Sequence, residues 1–226
     1  MKLIIKNIDK SYEEKNVIKN ASFEFEKGKI YALLGRNGAG KTTLFDCING
    51  DTEINSGEIL ISDNGTTKPI KREYIGYTVA VPMIPGFLTA REFVEFILEV
   101  NEKDIKDLKS VDEYFDMVII KEEDRGKLLK DFSLGMKNKM QMLVNVILKP
   151  PIILLDEPLA SFDVVVAEEM KNLFKSIKKD HIIIFSTHIM ELAMELCDEI
   201  TILADKKLTS VPKDKELIIK TLKDSE

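Results

Sequence analysis

The chain has 226 residues, a formal net charge of −6, and hydrophobic and charged fractions of 44% and 32%, the make-up of one soluble α/β domain with room for an inserted lobe. An acidic balance with lysines spread among the acids weighs against a nucleic-acid footprint, which needs a basic face, and no apolar run approaches the ~20 residues that span a bilayer. Cys47 and Cys197 stand far apart without C-x-x-C spacing, and there are only two histidines; this points to reduced core thiols and leaves a zinc site short of ligands.

The first 30 positions alternate apolar and polar residues (Leu3 and Ile5, Phe23 and Phe25), with turns near Asp9 and at Lys27-Gly28. That pattern predicts a short antiparallel sheet. Residues 1–7 carry no long apolar core and no small-residue cleavage site, so the chain is expected to stay in the cytosol and to meet a membrane only through a partner. Tyr12 falls in one of the connecting loops and reads, on sequence physics alone, as a half-buried loop aromatic.

The apolar run 30–34 leads into Gly35-Arg36-Asn37-Gly38-Ala39-Gly40-Lys41-Thr42, and a helix-like segment covers 43–49. Between a strand and a helix, G-x-x-x-x-G-K-[ST] is a phosphate cradle. The three glycines let the backbone, Asn37 and Ala39 included, wrap close to an anion with several N–H groups aimed inward. The helix N-terminus adds a favourable dipole, and Lys41 can reach the β- and γ-phosphates. Thr42 offers a hydroxyl to Mg²⁺, and Thr43 is placed to touch an inner phosphate. The stretch predicts nucleoside triphosphate binding.

Further strands are expected over 58–62 and 74–81, separated by the turn Asp63-Asn64-Gly65 and followed by the stiff loop 82–86. From 89 to about 130 the period becomes helical (Phe93, Phe96, Ile97, Val100), which predicts a helical lobe apart from the sheet. Ser133 is a good N-cap for a helix to about 148, closed by Pro150-Pro151. Apolar strands 152–155, 182–185 and 199–204 then alternate with helices over 164–179 and 190–197, and the segment after Pro212 predicts a small exposed helix. The alternation implies a parallel sheet with helices on both faces.

Ligands gather at the carboxyl ends of strands in open α/β sheets. Asp156 and Glu157 follow four apolar strand residues directly. Asp156 suits a Mg²⁺ ligand acting through water; Glu157, one residue on along an extended chain, points the other way and is the candidate base for an attacking water. His188 follows a buried strand and is a candidate donor to the γ-phosphate, although a lone His there is more often structural. His181, at the opposite end of the same strand, is assigned no role.

Taken in order, these motifs make the chain resemble an ATP-binding cassette ATPase, the nucleotide-binding subunit of an ABC transporter. The likeness covers essentially the whole length. It rests on the phosphate loop, on Phe132-Ser133-Leu134-Gly135-Met136 as the signature, on 152–158 as the second Walker motif, on Ser161-Phe162-Asp163 as the D-loop and on Ser186-Thr187-His188 as the switch histidine. The resemblance implies an α/β P-loop NTPase core with a parallel sheet flanked by helices, an N-terminal antiparallel β subdomain and an inserted α-helical subdomain. All of it falls in one domain, with 1–81 and 150–210 as the nucleotide-binding core, 88–149 as the helical part and 211–226 as a short tail.

It also implies ATP with Mg²⁺, a homodimer or a heterodimer with a related ATPase subunit, and a separate transmembrane permease that holds the chain at the inner face of the membrane. Each ATP would lie between the phosphate loop of one subunit and Ser133, Gly135 and Met136 of the other, with Asp163 near the opposite phosphate loop. Tyr12 matches the adenine-stacking aromatic. Two positions depart from the family: Leu134 replaces the usual Gly, in a form like that of peptide, antibiotic or lipid exporters, and the Gln expected after Tyr77 is replaced by Ala80 or Met83, depending on alignment. Two alternatives stay open: an ATP-dependent dimerisation switch with little hydrolysis, and a soluble non-transport ABC ATPase.

Overall fold

A computed structural model of the chain describes residues 1–105 and 107–224. Strands β1 (Lys2–Tyr12) and β2 (Lys15–Glu26) form a hairpin. After the central strand β3 (Ile30–Leu34) and helix α1 (Lys41–Asn49), strand β4 (Ser56–Asp63) returns to pair antiparallel with β1 and carries the edge strand β5 (Thr66–Pro69). The remaining elements are β6 (Ile75–Thr78), α2 (Ala90–Val100), α3 (Val111–Met117), α4 (Leu134–Leu148), β7 (Ile152–Asp156), α5 (Val164–Ile177), β8 (Ile182–Thr187), α6 (Met190–Leu196), β9 (Glu199–Ala204), β10 (Lys207–Val211) and α7 (Lys215–Lys223).

The second sheet has the order β10-β9-β3-β8-β7-β6, parallel throughout except for the β9–β10 hairpin. Its strands alternate between two cores, as a side-chain period of two requires. Ile30, Ala32, Leu34, Ile153, Leu155 and Phe185 pack with Met140, Leu143 and Phe174 of the helices. Tyr31, Leu33, Leu154 and Ile184 pack with Phe45 and Ile48 of α1 and with Leu3, Ile5 and Phe25 of the antiparallel sheet. Several helices cover one face, and α1 shares the other with the antiparallel sheet, so helices lie on both faces as the sequence predicts.

Other expectations need correction. The strand foreseen over 74–81 is only Ile75–Thr78, because Arg72–Tyr74 forms a 3₁₀ turn and the chain leaves the sheet after Thr78. The short strand packs closely on α4: a Cβ on Gly76 would lie 2.1 Å from Asn145 Oδ1, and Asn145 Nδ2 donates to Thr78 Oγ1 at 2.9 Å. The helical lobe expected from 89 to 130 is present, built from short pieces. Capping boxes at Thr89–Glu92 and Ser110–Glu113 start two short helices, and 3₁₀ turns at Glu122–Asp124 and Leu129–Asp131 complete the lobe. The C-terminal helix is not simply exposed, since Ile218 is fully buried. Among the described residues no helix is long and apolar enough to cross a membrane.

Candidate functional site

Strand β3 is buried at every position and is flanked on both sides by parallel neighbours, so the loop that follows it starts from a rigid edge. Residues 35–40 turn back, and Gly40 at φ 102° begins α1. Only glycine fits Gly40, for a Cβ would also lie 2.7 Å from Val17 Cγ1. A cavity of about 840 Å³ opens over this turn. Tyr12, Asn37, Gly38, Ala39, Gly40, Lys41, Thr42, Thr43, Asp156 and Glu157 all line it, and Gly35 lies beneath as an acceptor for Lys41.

Lys41 is 7% exposed. Its Nζ donates to the carbonyls of Gly35 at 2.9 Å and Arg36 at 3.3 Å. Burial pushes the ammonium below its ordinary pKa, against the opposing pull of Glu157 and Asp156. A cation desolvated in this way gains most from a bound anion.

Thr42 Oγ1 donates to Asp156 Oδ2 at 2.7 Å. Asp156 is 4% exposed and its other oxygen accepts from Ser186 Oγ. One hydroxyl and one carboxylate converging on the phosphate loop fit Mg²⁺, which takes hard oxygen ligands and uses few protein groups beside phosphate and water. Among the described residues, no group of three or more His, Cys, Asp or Glu side chains could hold a metal by itself.

Glu157 departs from the extended chain that its sequence context suggests. Its backbone is left-handed, with φ 48°, a conformation uncommon for a non-glycine residue and concentrated at functional sites. Its N–H donates to Ser186 Oγ at 3.1 Å, so Ser186 touches both acids. The turn carries the Glu157 carboxylate to His188, with Oε1 2.9 Å from Nδ1. His188 itself is half exposed and does not line the cavity, to which it is linked only through Glu157. His181 is buried, with Nδ1 2.6 Å from the Pro150 carbonyl oxygen, and burial lowers its pKa.

Ser133, Gly135, Met136 and Asp163 are not gathered into the cavity. Ser133 caps α4, accepting the Met136 N–H at 3.2 Å; the Met136 side chain packs on the core. Gly135 lies against Phe162, whose ring would meet an added Cβ at 3.2 Å. Asp163 caps α5 by accepting from the Val165 and Val166 amides, both at 3.0 Å. Asn138 on α4 joins that helix to the turn before α5, its Nδ2 donating to Ser161 Oγ at 2.6 Å.

Ala80 lines the cavity, whereas Met83 is 84% exposed. Of the two positions where the family resemblance expects Gln, only Ala80 is at the cavity. Several lining residues went unmarked in the sequence: Lys15, Asn16, Val17, Asp205, Lys206 and Leu222. Ser186 was visible only as a polar residue ending an apolar strand.

A family model described as ABC transporter matches residues 18–160. The chain is 32% identical over 205 residues to the uncharacterized ABC transporter ATP-binding protein YcbN of Bacillus subtilis (strain 168), covering 89% of this chain and 66% of that protein. It is 33% identical over 215 residues to the bacitracin transport ATP-binding protein BcrA of Bacillus licheniformis, covering 92% and 69%. The chain thus spans about two thirds of the length of these relatives. Among solved structures, the ATP-binding cassette MJ0796, described as a dimer in a post-hydrolysis state with ADP and Pi, superposes with a TM-score of 0.80 at 22% identity over 94% of this chain and 99% of that one, a likeness of fold. By motif order, site geometry and family match together, the chain belongs to the ABC transporter family, whose ATPase cassette it carries.

Proposed function

We propose that the chain binds and hydrolyses ATP as the nucleotide-binding subunit of an export-type ABC transporter. The observation that supports this most is the meeting of Lys41, Thr42, Asp156, Glu157 and His188 at the carboxyl ends of three adjacent parallel strands. Lys41 and the loop amides hold the β- and γ-phosphates. Glu157 accepts the proton of the attacking water, and His188, through its Nδ1 contact, holds the carboxylate in place. Thr42 and Asp156 would hold Mg²⁺, which when bound supplies positive charge to the phosphoryl oxygens.

Two chains close around two ATP molecules, each triphosphate reaching from one phosphate loop to Ser133 and the Gly135 amide of the other chain, with Asp163 near that loop. Closure follows from γ-phosphate contacts on both sides, and hydrolysis removes them. The lantibiotic transport ATP-binding protein SrtF of Streptococcus pyogenes and BcrA support a peptide- or antibiotic-like cargo and a separate permease at the membrane. The exposed Val81, Met83, Phe87 and Phe96 suit a cytoplasmic helix of that permease.

Ala80 favours a second reading: ATP binding and dimerisation as the output, with little hydrolysis. Steady-state ATPase assays of wild type and Ala80→Gln, with and without the permease, separate the two. The transporter reading expects ordinary turnover with the permease. Negligible turnover there, rising several-fold in Ala80→Gln, supports the switch.

A further inference from the structure

Among the described residues the buried lysines are Lys41, Lys139 and Lys171, with Lys139 and Lys171 at 7% and 9% exposure. Lys171 is compensated by ion pairs, Glu168 and Glu195 each reaching its Nζ at 2.5 Å. Lys41 and Lys139 have no ion pair. Each bonds only to backbone carbonyls, and burial pushes each ammonium below its ordinary pKa. A buried charge is normally paired. Lys41 has the phosphate cradle in front of it; Lys139 has no part in the function proposed above.

Lys139 lies on α4 and lines a second cavity, of about 620 Å³, which shares no lining residue with the first. Its Nζ donates to the Ile119 carbonyl at 3.0 Å, and the remaining ammonium hydrogens have no protein acceptor. Ile119 has φ 56°, an outlier for a β-branched residue and so a candidate functional position. The start of α5 lines the same cavity with Val164 and Val165, 87% and 68% exposed. Two further observations put Lys139 beside that helix start. Its neighbour Asn138 donates to Ser161 at 2.6 Å, and the charges of Glu169 and Asp163 both act on the Lys139 ammonium without pairing with it.

These surroundings define a ligand class. Asp163 already takes the Val165 and Val166 amides, so the helix start offers no free N–H cluster to a phosphate. Asp163 and Glu169 also oppose a second negative charge. A single carboxylate can meet the free hydrogens of Lys139, and an attached hydrocarbon can cover the valines and Ile119.

We propose that this cavity binds a monocarboxylate with an apolar body, of the medium-chain fatty-acid class, its head on Lys139 and its tail on Val164, Val165 and Ile119. The site is separate from the nucleotide cavity and stands or falls without it.

The test is calorimetric titration of the full chain with octanoate, below its micelle concentration, alongside acetate and 1-octanol. Wild type is expected to bind octanoate with a Kd of about 1 mM or below. Acetate lacks the tail and octanol the charge, so each should bind at least about ten-fold more weakly. Lys139→Met should weaken octanoate about ten-fold. A buried lysine also bears on folding, so Val165→Asp is the second variant. It changes an exposed side chain, sets a like charge beside the ligand head, and should weaken octanoate about ten-fold with the urea midpoint unchanged. Octanoate bound no tighter than acetate or octanol overturns the proposal. Unchanged octanoate affinity in folded Lys139→Met, or in Val165→Asp, overturns it as well. Binding lost in Lys41→Ala but kept in Lys139→Met also overturns it, by placing the carboxylate in the nucleotide cavity.

Discussion

The residues singled out by motif occupy two contrasting settings. Lys41, Thr42, Asp156, Glu157 and His188 are knit to one another and to the phosphate loop, with Thr42 on Asp156 at 2.7 Å and His188 on Glu157 at 2.9 Å. They gather at the carboxyl ends of three strands buried at every position, with Lys41 and Thr42 opening α1 after β3. Ser133 and Asp163 instead sit exposed at the starts of α4 and α5 and bond only to the first amides of their own helices. The first group is a site that one chain can assemble. The second is a pair of capped helix N-termini facing outward, a disposition that favours an anion brought from elsewhere. Function, on this account, needs the second group of one chain to meet the first group of another.

Several substitutions would break or sharpen that contrast. Glu157→Gln should lower ATP turnover by about 10²–10⁴-fold with nucleotide affinity kept, read by phosphate release alongside ATP titration; wild-type turnover would remove Glu157 as the base. Lys41→Ala should weaken ATP binding by about 100-fold, the scale of charge-assisted bonds to phosphate, and unchanged affinity in a titration would undo the first group. Ser133→Ala should cost about 1 kcal/mol of stability through the lost cap, seen as a shifted urea midpoint. It should also slow turnover while ATP binding by the single chain stays intact. An effect on single-chain binding as large as that of Lys41→Ala would erase the distinction between the groups.

The smallest expected effect lies away from both. Burial would raise the Asp198 pKa, but Lys178 Nζ at 2.8 Å and the Ile30 N–H at 2.8 Å outweigh it and hold the carboxyl below its ordinary value. A depressed folded-state pKa contributes stability above the unfolded value of about 3.9, lost as pH falls through the folded one. Asp198→Asn should therefore be less stable than wild type at neutral pH, with the gap closing in acid. A gap independent of pH in urea midpoints would contradict this.

Much of the first group was legible because short apolar runs ending in polar residues announce buried parallel strands and their carboxyl ends. The runs Ile152–Asp156 and Ile182–Thr187 show this plainly. What escaped depends on partners remote in sequence. Strand β5 is exposed along its whole length, and β10 is an edge strand held by its hairpin with β9; neither offers a strong apolar period. The lobe between α2 and α4 was legible as helical, but not its division into two short helices, each started by its own capping box. The left-handed turn at Glu157 has no glycine to announce it. Leu222 joins the cavity only because α7 folds back against β9, a placement no local pattern encodes.

The central claim is that two chains share each triphosphate. It is tested most directly by the solution mass of Glu157→Gln, measured by light scattering with and without ATP and Mg²⁺. The account predicts a monomer that doubles in mass when ATP is added, and reverts when Ser133 is also changed to Ala. A variant that binds ATP with wild-type affinity and keeps the monomer mass at every protein concentration tried would contradict it.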